Sequence, residues 1–243
     1  MGKWLKEHGM WAGIILLLLL LPALFFMLKN LIVSTWSMPL NGKVIVLDAG
    51  HGGADGGAVS KTGIIEKDIT LQMVLYLRDY LQEAGALVYL TRESDRDLAS
   101  PDTDRLRSRK AEDLMRRIHL VKEKKADALI SIHLNAIPSP KWSGAQTFYH
   151  PAKEENKRLA AFIQSELMKQ LGNTKRLAKQ KGDVYILNHS PVPTALVEVG
   201  FLSNPAEAEL LSKPEYQKKV AASIYLGILQ YYTGKEPPPI VDQ

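Results

Sequence analysis

The chain has 243 residues, 46% of them hydrophobic and 23% charged, with a formal net charge of +5 and no cysteine. The missing cysteine excludes a thiol nucleophile, a CxxC redox pair, a thiolate zinc or iron–sulfur site and any disulfide, so a metal site must use His, Asp and Glu. The apolar and charged fractions exclude a disordered chain. Three Lys and one Glu fall within residues 1–37, which leaves +3 on the other 206 residues. That charge is too mild and too scattered for a nucleic-acid partner.

Gly9 to Leu28 carries no charge, and 20 such residues are long enough to cross about 30 Å of hydrocarbon. Lys3 and Lys6 precede the segment and Lys29 follows it, a bias that directs the remainder of the chain outward. Residues 1–37 therefore read as a signal peptide or membrane anchor plus linker. The apolar run Ile14–Leu21 followed by Pro22 is short enough for a signal-peptide core. Its small-residue cleavage sites, Leu21-Pro22-Ala23 and Val33-Ser34-Thr35, fit weakly, so cleavage and anchoring both stay open.

After a linker closed by Asn41-Gly42, the sequence alternates strand and helix. Lys43–Leu47 is a continuous β-branched run, as expected of a strand buried on both faces. Glu66–Ala84 carries a helical stripe of Ile69, Met73, Leu77 and Leu81 and stops at Gly85. Leu87–Leu90 reads as a strand, and Asp104–Lys125 as a charged helix with Leu106, Leu114, Ile118 and Val121 inward. Ala128–Ile132 is a strand, Pro138 and Pro140 mark a loop, and Ala145–Tyr149 is a further strand. The helix Lys153–Leu171 presents Leu159, Ile163 and Leu167 and ends at Gly172-Asn173. Val184–Leu187 and Thr194–Val199 read as strands separated by a turn over Asn188–Pro193.

Asn204 is expected to cap a short helix, with Pro205 at its first position and Glu207 reaching back to the cap. Tyr216, Val220, Ile224, Ile228 and Tyr231 stripe the last helix, and 234–243 is a Pro-rich tail. This order predicts a single α/β domain over 38–233. Its sheet should be mostly parallel and twisted, with about six strands, helices on both faces and an N-terminal hydrophobic helix ahead of it.

In open α/β sheets, ligands bind beyond the carboxyl ends of the strands. Asp48-Ala49-Gly50-His51-Gly52-Gly53 follows the first strand, His133-Leu134-Asn135 the third, and the last strand runs into Glu198. Glu66, at the start of the helix after the glycine loop, can reach the same edge. Two imidazoles and two carboxylates are the groups of a hydrolytic zinc site, with three protein ligands and a further carboxylate as general base. No HEXXH helix is present, so the site must be dispersed.

Singly, these residues have plainer explanations. His51 fits a solvated loop, His133 a satisfied strand-end histidine, and Glu66 a first-turn carboxylate favoured by the helix dipole. Glu198 is harder to dismiss, because a carboxylate among Leu196, Val197 and Val199 is costly to bury unless paired or functional. A nucleotide site is disfavoured, since Gly50-x-Gly52 continues to Asp55 and no helix N-terminus follows within a few residues. His119 reads as solvated, and His150 and His189, at strand ends, could support a site from behind. Trp142 and Trp36 are loop residues, and Ser131, with no base beside it, reads as core.

Leu47–Gly53, Glu66-Lys67-Asp68, Leu90-Thr91-Arg92, Ser131–Asn135 and Val197–Asn204 together resemble the motifs of the zinc-dependent N-acetylmuramoyl-L-alanine amidases, the type-3 amidase family. The match runs in order over about 43–232. A lone catalytic domain behind a hydrophobic segment resembles the spore-cortex branch of that family. The resemblance implies that His51, Glu66 and His133 bind Zn2+ and that Glu198 is the catalytic carboxylate. It further implies a peptidoglycan substrate cut between N-acetylmuramic acid and L-alanine, on the outer side of the membrane. Asn135 is expected to orient the loop around His133. Ala49 stands where relatives commonly have proline, and Val121-Lys122 where many have Ala-Asn. A non-catalytic peptidoglycan-binding protein and a zinc peptidase acting on the stem peptide are the alternatives, and a protein regulator remains open.

Overall fold

Six strands form one sheet: β1 (Val44–Ala49), β2 (Leu87–Leu90), β3 (Ala128–Asn135), β4 (Gln146–Tyr149), β5 (Lys179–Gln180) and β6 (Thr194–Phe201). The structure is a computed structural model and describes residues 8, 9, 11, 16–29, 38–234, 236 and 238. Its sheet order is β2-β1-β3-β6-β4-β5. Strands β2, β1, β3 and β6 run parallel, with Ile45 opposite Val88 and Ala128. β4 is antiparallel to β6, and β5 parallels β4. The expected single, mostly parallel α/β sheet is thus the observed one.

The helices are α1 (16–29), α2 (Glu66–Glu83), α3 (Leu106–Glu123), α4 (Glu154–Leu171), α5 (Tyr185–His189), α6 (Pro205–Leu211) and α7 (Pro214–Tyr232). By internal contacts the chain divides into two units, Met1–Met38 and Pro39–Gln243. In the first, the described leucines of α1 are exposed. Among the described residues, no helix is long and apolar enough to cross a membrane. The uncharged stretch 9–28 and the linker 30–42 lie partly outside the described residues, as do Trp36 and most of the tail.

In the second unit, alternation along each strand sends side chains to two different covers. Ile45, Leu47, Ile130, Ile132, Val197 and Val199 join residues of α2, α4 and α7 in the larger cluster. Val46 and Leu129 face the other way, against Ile118 and Val121 of α3 and Ile186 of α5. Each fully buried Leu or Ile contributes about 1.5–3 kcal/mol relative to exposure, so the larger cluster supplies most of the apolar stabilisation. α4 and α7 pack closely where Gly227 of α7 meets the Ile163 backbone, and a Cβ there would lie 2.5 Å from the Ile163 Cα. α4 ends as expected at Gly172, whose φ of 67° places it in the left-handed region.

Three expectations are corrected. Val184–Leu187 is not a strand: Tyr185–His189 form the short helix α5, with Ile186 and Leu187 buried. A four-residue apolar run has no period that separates strand from helix. The two-residue β5 occupies the corresponding edge instead, with both residues exposed. Leu106 is exposed rather than inward, because the smaller cluster reaches only the C-terminal half of α3. Asn204 does cap α6, accepting from the backbone of Ala206 and Glu207 at 3.1 Å each. Glu207, however, does not close the capping box; it accepts from the backbone N–H of Gly144 at 2.7 Å and of Phe201 at 2.8 Å.

Candidate metal centre

The chain leaves β1 for β2 on one side and later returns to β3 on the other, so the strand order reverses between β1 and β3. That switch point is where an α/β sheet opens a crevice at its carboxyl edge. The Gly50 N–H donates to the Ile132 carbonyl at 3.0 Å and ties the two strand ends together. His51 follows immediately, in the left-handed region at φ 62°, an uncommon conformation for a residue with a Cβ. His133 lies within β3, directly opposite Glu198 of β6. Strand β3 is therefore longer than expected, and a bulge between His133 and Asn135 ends its regular pairing.

Glu66 begins α2 and is held by backbone groups on both oxygens. Oε2 accepts from the Ala58 N–H at 2.8 Å and Oε1 from the Leu134 N–H at 2.9 Å. Oε1 also lies 3.2 Å from His51 Nε2 and 3.0 Å from His133 Nδ1. The two rings meet edge to face with centroids 5.0 Å apart. The structure thus brings the three sequence-predicted ligands into one cluster whose donor atoms all lie within 4.8 Å of one another.

This donor set fits a metal. Tetrahedral ligands about 2.0 Å from zinc lie roughly 3.3 Å from one another, close to the spacings at Glu66. The surroundings make room for such a centre. A Cβ on Gly50 would sit 2.6 Å from His133 Nδ1, and one on Gly57 would sit 2.5 Å from Glu66 Oε2.

The electrostatics favour ionised Glu66. Burial alone would raise its pKa, but hydrogen bonds and charge from His133 and His51 hold it well below the usual carboxylate range. For His51, burial disfavours the charged imidazole, while Glu66 and Asp55 outweigh that effect and raise the pKa. Asp55 Oδ2 lies 3.0 Å from His51 Nδ1 and 3.0 Å from Lys110 Nζ. A carboxylate on Nδ1 directs the ring's other nitrogen, Nε2, towards the cluster. In sequence Asp55 stands out only as the residue that spoils a nucleotide loop; the signal of this contact is its spacing of four from His51.

Glu198 is half-buried at the same edge, and its Oε2 is a buried oxygen without a hydrogen-bond partner. Burial raises its pKa; the neighbouring Glu66 acts in the same direction and His133 against it. Among the remaining residues singled out, Ser131 is buried and donates to Asp48 Oδ2, so it is core with a partner. The Asn135 carbonyl accepts from the Leu202 N–H at 2.8 Å, fastening the end of β3 to the segment after β6. His119 is exposed, His189 stacks on Tyr185, and the Nδ1 of His150 accepts from the Ala152 N–H at 3.2 Å. Trp142 is half-exposed beside the Arg176 guanidinium. None of these four joins the cluster.

Comparison with known proteins gives a consistent answer. Residues 45–230 match the N-acetylmuramoyl-L-alanine amidase family (Amidase_3). The germination-specific N-acetylmuramoyl-L-alanine amidase of Bacillus subtilis is 53% identical over 239 residues, covering 98% of this chain and 100% of that protein. Among solved structures, the CwlD amidase from Clostridioides difficile, in complex with the GerS lipoprotein, is 41% identical with a TM-score of 0.78, covering 80% of this chain and 100% of that one. The catalytic domain of CwlV, an N-acetylmuramoyl-L-alanine amidase from Bacillus (Paenibacillus) polymyxa, is 31% identical with a TM-score of 0.69, covering 79% and 99%.

Proposed function

The chain belongs to the N-acetylmuramoyl-L-alanine amidase family, and from that premise we propose that His51, Glu66 and His133 hold a zinc ion and that Glu198 is its general base. The substrate is peptidoglycan and the bond is the amide between the lactyl group of N-acetylmuramic acid and L-alanine. The observation that carries this reading is the convergence of His51 Nε2 and His133 Nδ1 on one oxygen of Glu66, at 3.2 and 3.0 Å. When bound, zinc supplies a Lewis acid that polarises a carbonyl and acidifies water.

The chain's own residues do the rest. Asp55 keeps His51 Nε2 turned towards the centre, and the Ala58 and Leu134 N–H groups fix the Glu66 carboxylate. Glu198 takes a proton from the attacking water at its free Oε2 and delivers it to the leaving L-alanine nitrogen. Burial raises the pKa of Glu198, which strengthens it as a proton acceptor. Asn135 keeps His133 in place through the tie between its carbonyl and Leu202.

The biological role is that of a germination-type amidase acting outside the cytoplasmic membrane on the spore cortex. Residues 1–37 serve as export signal or anchor, 38–233 as catalytic domain and 234–243 as tail. A lipoprotein held to the same membrane is the kind of regulator that suits such an enzyme.

Digestion of purified peptidoglycan tests the reaction. The products should be glycan with unsubstituted lactyl carboxyls and stem peptides bearing new L-alanine amino termini, resolved by mass spectrometry. Cuts within the stem peptide would instead identify a zinc peptidase, and binding without new termini a non-catalytic wall protein.

A further inference from the structure

Beneath the metal centre lies a buried group of charges that the reaction does not use. Arg117, on α3, has only 2% of its side chain exposed and Asp48, on β1, only 1%. The Arg117 guanidinium spends its donors in two directions. Towards carboxylates, Nη1 meets Asp48 Oδ1 at 2.7 Å and Nε meets Asp113 Oδ2 at 2.9 Å. Towards the backbone, Nη1 donates to the Ala49 carbonyl and Nη2 to the His51 carbonyl, each at 2.7 Å.

A second buried arginine grips the same segment and shares the Ala49 carbonyl. Arg92 donates from Nε to the Ala49 carbonyl at 3.1 Å and from Nη2 to the Gly50 carbonyl at 3.1 Å. It reaches on to the Lys67 carbonyl at 2.7 Å, one residue after the ligand Glu66. A Cβ on Gly52 would lie 2.9 Å from Arg92 Cδ, so the loop passes directly against this side chain. The carbonyls of residues 49, 50 and 51 are therefore all held by guanidinium donors, and His51 is the one whose backbone is left-handed.

Burying a guanidinium is costly unless its charge is paired and its donors are used. Asp48 and Asp113 meet the first condition. The carbonyls of Ala49 and His51 meet the second, and they lie on the segment that must present an imidazole in a rare conformation. A charge-only role would need no carbonyl of His51.

We propose that Arg117 is a positioning residue for the metal centre, holding His51 in its left-handed conformation through the His51 carbonyl so that Nε2 faces Glu66 and His133. The inference rests on the zinc reading above and deepens it. Supports behind a metal ligand typically change metal affinity 10–100-fold when removed. A lysine at this position keeps the charge between Asp48 and Asp113 as a compact ammonium, without the planar fork that spans carboxylate and backbone together.

The test compares the zinc affinity of full-length wild type, Arg117→Lys, Arg117→Met and Phe162→Ala, by competition with a chelating indicator. Near-UV circular dichroism and unfolding midpoints are recorded in parallel. Phe162 is buried on α4, which carries none of the cluster, so its truncation reports destabilisation without repositioning. Both Arg117 variants should bind zinc about 10–100-fold more weakly, while Phe162→Ala binds as wild type. Arg117→Lys should recover unfolding midpoint relative to Arg117→Met without recovering zinc affinity. At saturating zinc, both should turn over with wild-type KM. If Arg117→Met does not fold, Arg117→Lys carries the test. Wild-type zinc affinity in folded Arg117→Lys overturns the proposal and leaves the zinc reading standing. Failure of the wild-type chain itself to bind zinc overturns that reading first.

Discussion

On the face covered by α2, α4 and α7, the sheet packs Ile45, Leu47, Ile130, Ile132, Val197 and Val199 into a continuous apolar layer with Leu77, Leu159 and Ile228. On the face covered by α3 and α5, Val46 and Leu129 meet a much smaller apolar group. Strand alternation places the next residues on that thinner face: Asp48 after Val46, Ser131 and His133 after Leu129, and Glu198 after Leu196. The difference teaches how the two tasks are divided. The thick layer supplies stability. The thin layer is free to hold paired charges, and those charges end at the carboxyl edge where His51, Glu66 and His133 meet.

Two perturbations sharpen this division. The larger is Phe162→Ala, within the thick layer. Loss of a buried phenyl group should lower unfolding free energy by about 3–5 kcal/mol in denaturant titration. The products formed by the remaining folded protein should not change. A change in cleavage products would break the separation between the faces.

The smaller effect is on the thin face and depends on pH. Burial would raise the Asp48 pKa, but the charges of Arg117 and His133 and hydrogen bonds from Ser131 and Arg117 outweigh it and bring it from 3.8 to about 2. A group whose folded pKa lies below its unfolded one stabilises the fold fully above the unfolded value and loses that contribution as pH falls. Asp48 should therefore contribute about 2 kcal/mol above pH 3.8, lost as pH falls towards about 2. Unfolding curves of wild type and Asp48→Asn across that window measure it. If the two lose stability in parallel there, the charge network does not supply this part of the stability.

The sequence made the thick face easy to read. Its helices α2, α4 and α7 carry long apolar stripes with recognisable ends, such as Gly172, and the buried parallel strands are continuous β-branched runs. The four candidate site residues were also visible: His51 and His133 just past, and Glu198 within, strands that such runs identify, and Glu66 at the start of the striped helix α2. The thin face was harder. Outside its short apolar stripe helix α3 is densely charged, so Arg117 is indistinguishable in sequence from the solvated Arg116 beside it. Only tertiary burial separates them, though the spacing of four from Asp113 was a local hint. Arg92 belonged to a recognised motif without a discernible task. Val184–Leu187 failed as a strand because a short apolar run is ambiguous; the segment is helical and packs Ile186 against Ile118 and Val121 of α3. Leu106 failed because helical periodicity gives a direction but not how far the covering layer extends.

The central claim is that three residues hold the metal and a fourth moves the proton. Glu198→Gln separates these roles, since it keeps the shape of the side chain and removes its basicity. Zinc content per chain and amide hydrolysis are measured on the same preparation. The account predicts wild-type zinc content with turnover reduced by about 10²–10⁴-fold. Loss of zinc from Glu198→Gln, or turnover equal to wild type, would contradict it.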